Sequence, residues 1–296
     1  MGYHAGYLCA SVRDTFFGCD FPLQVFYPTD TEESETRLGP YRLPLARDGA
    51  LSLGRFPLAL ISHGSGGAPL THRDLARYLA RHGWVVGLPE HPRNNRNDNS
   101  GNGTLDNLAA RPLHLAAAID WFERDGRFAR SVATRATAVI GHSMGGYAAL
   151  ALAGGKPRSL REESGDGLER EVEVAKDARI AALVLLAPAT VWFREKGALD
   201  GVDQPILMLC AERDEWTPAE HHAHRVLSGT GKAGTVDYRI VRGAGHFSFL
   251  SPFPAEMTHP GFPPSQDPAG FDRLAYHYEM RAEILAFLSA GMPPQD

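Results

Sequence analysis

Short apolar runs alternate with amphipathic stretches from the first ten residues of the chain to its last helix. The runs predict strands near 5–12 and 21–27, an antiparallel pair at a sheet edge. Further strands are predicted at 57–62, 84–88, 136–140, 180–187, 205–210 and 235–241. Between them the periodicity predicts helices near 70–82, 104–124, 143–154 and 217–228, and a last helix near 272–289. The run from Ile180 to Ala187 is apolar at both odd and even positions, as expected of a central parallel strand covered on both faces. Strands alternating with helices predict an α/β fold, with a mostly parallel central sheet of about eight strands and helices on both faces. The strands recur to the end without an internal repeat or a Gly/Ser-rich linker, so residues 1–296 are expected to form a single domain.

Four stretches interrupt the alternation. Residues 28–55 are polar, with Gly and Pro turns. Residues 92–103 are rich in Asn and Gly, 155–178 in charge and 251–270 in Pro. Ligands of open α/β sheets bind beyond the carboxyl ends of the strands. The loops at 92–103 and 251–270 follow or flank such ends and are candidates for walling a site. The loop at 155–178 is a weaker candidate, since Arg161-Glu162-Glu163 and the Glu-Arg-Glu-Val-Glu run suggest an exposed, solvated helix.

Charge narrows the functional classes. A formal net charge of -5 lacks the basic excess that phosphate recognition requires, which argues against a general nucleic-acid binder. No run approaches the roughly 18 consecutive apolar residues that a membrane-spanning helix needs. No basic-then-apolar leader opens the chain, so the default expectation is a cytoplasmic protein. Of the three cysteines, Cys9, Cys19 and Cys210, at least one is unpaired. Cys210 reads as a core residue, and Cys9 and Cys19 as free thiols, with pairing between them the alternative.

Gly141-His142-Ser143-Met144-Gly145 fits the pattern G-x-S-x-G between a predicted strand and a predicted helix. In that setting a serine is forced into a sharp turn that projects its hydroxyl above the sheet, and the glycines let the backbone close up. A serine needs a base to take its proton, and on this scaffold the acid and then the histidine follow it in sequence. His246 stands just beyond the strand at 235–241 and is the expected base; His259 and His277 are its rivals. Asp214, just beyond the strand at 205–210, is the expected acid, with Glu212 and Glu215 as near alternatives. Asp200 and Asp203 precede that strand and should face the opposite end. Ser62-His63-Gly64-Ser65-Gly66-Gly67 follows the strand at 57–62. It predicts an oxyanion hole made by the backbone N–H groups of Met144 and Ser65, with Gly66 as the alternative to Ser65.

Other residues invite readings of their own. Trp216, Phe247 and Phe249 adjoin the catalytic positions and are candidates for an apolar substrate pocket, with core packing as the alternative. His221, His222 and His224 lack a completing carboxylate or thiolate, so a solvated or helix-capping role is expected rather than a metal site. His63 is expected to support its own loop, and Arg93 and Arg96 to be solvated. The expected chemistry needs no cofactor and no metal, and its partner is a small-molecule ester.

With these segments in hand, the chain resembles the dienelactone-hydrolase-like group of α/β-hydrolases, which is related to the platelet-activating-factor acetylhydrolases. Phe21–Pro28, Gly54–Gly67, Gly83–Pro92 and the three catalytic segments carry the resemblance. It implies a serine esterase that hydrolyses short-chain or small carboxylic esters; thioester, amide or polyester hydrolysis by the same residues, or a silent binding protein, are the alternatives. Two departures limit what carries over. Dienelactone hydrolases use a cysteine where this chain has Ser143. The acetylhydrolases place their acid after the preceding strand, where Leu185-Leu186-Ala187-Pro188-Ala189 offers none.

Overall fold

The computed structural model describes residues 2–230 and 236–291. Ten strands run through them: β1 (His4–Asp14), β2 (Cys19–Thr29), β3 (Ser34–Leu38), β4 (Tyr41–Arg47), β5 (Phe56–Ser62), β6 (Val85–Pro89), β7 (Val132–His142), β8 (Ile180–Leu186), β9 (Ile206–Ala211) and β10 (Val236–Val241). They form one sheet in the order β10-β9-β8-β7-β5-β6-β2-β1-β4-β3. From β10 to β6 every neighbouring pair is parallel; β2 then runs antiparallel to both β6 and β1.

The central strands have no polar face, and alternation divides their side chains between two cores. β5 sends Leu58 and Leu60 to one core and Ala59 and Ile61 to the other. β8 divides Leu183 and Leu185 from Ala182, Val184 and Leu186 in the same way. A sheet apolar on both faces must be covered twice. Helices α2 (Leu105–Arg124), α3 (Met144–Leu152) and α4 (Ala223–Gly229) cover the first face, and α1 (Arg73–Arg81) and α5 (Arg273–Gly291) the second. The result is an α/β architecture with a mostly parallel sheet. Among the described residues no helix is long and apolar enough to cross a membrane.

The structure departs from the sequence reading in three places. The sheet has ten strands rather than about eight, because β3 and β4 form a hairpin within the stretch read as polar turns. Thr36, Leu38, Tyr41, Leu43 and Leu45 are buried in it, while Glu35, Arg37, Arg42 and Pro44 alternate outward. Thr235, expected to begin the last strand, lies outside the described residues. The helix expected from 217 starts only at Ala223: residues 218–222 form a separate turn, with the N–H groups of His221 and His222 both on the Pro218 carbonyl at 3.0 Å. No α-helix forms in 155–178, only a 3₁₀ turn at Arg161–Glu163. There Glu163 turns inward and accepts the Trp192 indole N–H at 2.8 Å, and Arg194 binds the Arg158 and Ser159 carbonyls. Cys9, Cys19 and Cys210 are free thiols, as expected.

Candidate active site

Three parallel strands end on the same edge of the sheet, and each delivers one expected residue. β7 runs into Ser143, β9 into Asp214 three residues on, and β10 into His246 five residues on. In the sheet β9 and β8 lie between β10 and β7, so His246 must reach back over both to meet Ser143.

Ser143 has a φ of 53° and a ψ of -116°. A side chain at positive φ stores about 1–3 kcal/mol, and it persists only where its surroundings fix it. Here the Ser143 N–H donates to the Leu186 carbonyl at 3.0 Å, and its own carbonyl accepts from Gly146 and Ala189 at 2.9 Å. Two glycines make room for the turn. A Cβ on Gly145 would overlap the Ser62 carbonyl, and one on Gly141 the Gly145 carbonyl. Met144 opens α3, so its N–H has no partner within the helix and sits at the positive end of the helix dipole.

Asp214 and His246 are both buried and paired, with His246 Nδ1 3.0 Å and 2.9 Å from the two carboxylate oxygens. Asp214 also accepts the N–H groups of Trp216 at 2.9 Å and Thr217 at 2.7 Å, and the Thr217 hydroxyl at 2.9 Å. Burial opposes its ionisation, but the hydrogen bond and charge of His246 and the Thr217 donors outweigh that and hold the carboxyl down to about 2. Thr217, which the sequence reading missed, thus braces the acid; its signal was the Asp-x-x-Thr spacing of a local turn.

His142 ties His246 to the elbow. Its Nε2–H donates to the His246 carbonyl at 3.0 Å, and the two rings lie 4.9 Å apart. Ser143 is the residue next to His142 in the chain. The Ser143 hydroxyl is not hydrogen-bonded to the His246 imidazole in this conformation. Such contacts are often loose before substrate binds.

The Ser62–Gly67 loop closes the other side. A Cβ on Gly64 would stand 3.2 Å from Ser143 Cβ. The Gly64 carbonyl accepts His63 Nδ1–H at 2.8 Å and the Gly67 N–H at 3.1 Å, while His63 Nε2 accepts the His91 N–H at 3.3 Å. The Gly64–Ser65 peptide is thus anchored by its oxygen, and the Ser65 N–H points the opposite way, as a trans peptide requires. That N–H has no acceptor among the described residues.

The rivals are placed elsewhere. His259 is exposed; His277 is buried in α5 on the Ser248 carbonyl. Glu212 accepts the Gly243 N–H, and Glu215 is exposed. Asp203 pairs with Lys176. Of the expected solvated or capping roles, His222 takes the N-cap position of α4 without a side-chain capping bond; it is buried and accepts the Thr190 N–H, and His221 precedes α4 instead of sharing a face of it with His224. Among the described residues no group of His, Cys, Asp or Glu is arranged to hold a metal ion.

Of the three aromatic candidates, Trp216 is 66% exposed, with its ring 6.2 Å from that of His246, and Phe247 is half-buried beside both. Phe249 is only 1% exposed and packs in the core against His142 and Tyr276, so it does not line a pocket. The loops at 92–103 and 251–270 flank the site. The first donates the Arg96 N–H to the Gly67 carbonyl at 2.7 Å; the second packs Pro268 on Gly245. Arg93 and Arg96 lie over the rings of Phe17 and Phe262.

Buried histidines surround this machinery, and burial holds them neutral. It pushes His63 and His142 down to about 3 and His222 and His277 to about 4, and depresses His72 and His91 as well. Each pKa is lower folded than unfolded, so between about 6.5 and the folded value only the unfolded chain takes up the proton. Stability is complete above pH 6.5 and is lost as the pH falls, by about 1.4 kcal/mol per pH unit for each such group. The melting temperature is expected to drop by roughly 10 °C or more from pH 7 to pH 5. Scanning calorimetry across that range checks it, and a flat profile would contradict the neutral cluster.

A scan of the chain against protein-family models finds no match, and a search of curated proteins finds none either.

Proposed function

We propose that the chain is a serine hydrolase of the α/β-hydrolase fold that cleaves small carboxylic esters through Ser143, His246 and Asp214. One observation carries the reading: a serine held at positive φ between a parallel strand and a helix, next to His142, whose ring lies 4.9 Å from that of a buried histidine bound at Nδ1 by a buried carboxylate. No simple packing need accounts for a strained serine there, whereas nucleophilic catalysis does.

In this mechanism Ser143 Oγ adds to the ester carbonyl carbon as His246 Nε2 takes its proton. The N–H groups of Met144 and Ser65 receive the oxyanion, and each such donor contributes on the order of 10²–10³ in turnover. The intermediate collapses as His246 protonates the departing alcohol. A water then repeats the sequence on the acyl-serine, releasing the acid and restoring the hydroxyl. Asp214 holds the Nδ1–H tautomer of His246 and stabilises its imidazolium. Trp216 and Phe247 offer an aromatic wall for the acyl or alcohol portion. The resemblance to the dienelactone-hydrolase-like group supports the same reading, with the acid after β9.

The test is a fluorophosphonate probe with peptide mass spectrometry, run beside turnover of p-nitrophenyl acetate. The expected result is a single adduct on Ser143 and loss of turnover in proportion to labelling. Turnover that persists after full labelling, or an adduct elsewhere, would overturn the assignment.

A further inference from the structure

Arg111, in the middle of α2, is 0% exposed, and its guanidinium has no carboxylate partner among the described residues. Burial lowers its pKa to about 9, which leaves it charged at neutral pH. A buried cation without a counter-ion is costly and needs its hydrogen bonds made good by dipoles. Most of those dipoles belong to one loop. Nη2 donates to the His63 carbonyl and to Ser62 Oγ at 3.4 Å, and Nη1 donates to Asn94 Oδ1 at 2.6 Å. Asn94 in turn donates to Ser65 Oγ at 2.9 Å, and Ser65 Oγ donates to Asn102 Oδ1 at 2.7 Å. The guanidinium therefore grips the peptide just before Gly64 and, through Asn94, the side chain just after it. Behind Ser62 the polar chain continues inward: His91 Nε2 is 2.8 Å from Ser62 Oγ, His114 Nδ1 is 3.1 Å from His91 Nδ1, and Asp14 lies 3.4 Å beyond. The nearest anion in that chain is thus separated from Arg111 by two imidazoles and a hydroxyl.

We infer that Arg111 is a positioning residue for the oxyanion loop, setting the Gly64–Ser65 peptide through its paired hold on His63 and Asn94. The inference rests on the reading of the Ser65 N–H as an oxyanion donor. Its planar fork reaches the carbonyl and the amide together, and a lysine ammonium has no such geometry. A residue acting only on folding would change stability and leave the chemical step intact. A residue that aims an oxyanion donor lowers kcat, leaves KM nearly alone and weakens binding of a tetrahedral anion.

The experiment compares wild type, Ser143→Ala, Arg111→Lys and Asn94→Ala. The readouts are kcat and KM for p-nitrophenyl acetate, the inhibition constant of phenylboronic acid, and the melting temperature. In Arg111→Lys we expect kcat to fall by about 10–100-fold, KM to stay within about threefold, and the boronate constant to rise in step with the loss of kcat. Asn94→Ala keeps the guanidinium and cuts its link to Ser65, and should show the same pattern at about 5–10-fold. If Arg111→Lys does not fold, Asn94→Ala decides. Folded variants with wild-type kcat and boronate binding, or with a loss confined to KM, would overturn the inference. Turnover that Ser143→Ala leaves intact would instead overturn the catalytic assignment beneath it.

Discussion

Ser143→Ala is expected to reduce kcat for p-nitrophenyl acetate by about 10⁴-fold or more while leaving the melting temperature within a degree or two of wild type. The chemical half follows from the proposed mechanism: the Thr217 hydroxyl lies on the Nδ1 side of His246, bound to Asp214, so removing Oγ of Ser143 takes away the hydroxyl that Nε2 would activate. The stability half follows from the backbone. Alanine carries the same Cβ as serine, so the φ of 53° is equally strained in the variant, and the hydrogen bonds holding the turn are all made by the main chain. A loss of activity without a loss of stability therefore separates chemistry from folding at this position. Steady-state kinetics and calorimetry on the same preparation check both halves. A variant that keeps more than about a hundredth of wild-type turnover would point to a nucleophile other than Ser143.

The features legible in the sequence are those fixed by local order. Ser143, Asp214 and His246 each follow an apolar strand within a few residues, so the parallel sheet alone brings them to one edge. What the sequence hides depends on contacts made across the fold. Phe249 looks like a pocket residue because it is three positions from His246, but the one-turn 3₁₀ segment His246–Phe249 carries it to the inside face, against Tyr276. His142 is hidden in the variable position of its motif, and its bond to the His246 carbonyl spans 104 residues. Arg111 sits in a helix interior, where its positive charge suggests a solvated face; nothing nearby in sequence supplies the carbonyl and amide that take it into the core. The β3–β4 hairpin is a different case. Its alternation was present around Gly39-Pro40, but the polar half of each strand made the segment resemble a loop. The helix expected from 217 starts late because Thr217 is held to Asp214 and the Ala187 carbonyl, and the residues after it close a turn on the Pro218 carbonyl.

Asp214→Asn should be nearly as damaging as loss of the nucleophile, and for a reason set by the neighbours of the carboxylate. Oδ1 accepts two main-chain N–H groups, from Trp216 and Thr217, that cannot rotate away. An asparagine must therefore place its oxygen there and its NH₂ at the Oδ2 position, facing His246 Nδ1. With the NH₂ at the nearer position, 2.9 Å from Nδ1, the balance shifts toward an imidazole that accepts there and carries its proton on Nε2, the nitrogen that must be bare to take the Ser143 proton. The expected loss in kcat is about 10³–10⁴-fold, with little change in KM. The charge has its own signature in stability. The carboxyl is depressed from its ordinary value to about 2, so the aspartate contributes stability above pH 4 that is lost as the pH falls through 2. That contribution is on the order of 2 kcal/mol at neutral pH. Asparagine cannot supply it, so the variant should also melt several degrees lower at pH 7. Kinetics that fall less than tenfold in a folded Asp214→Asn protein would show that His246 takes its tautomer from somewhere other than this carboxylate.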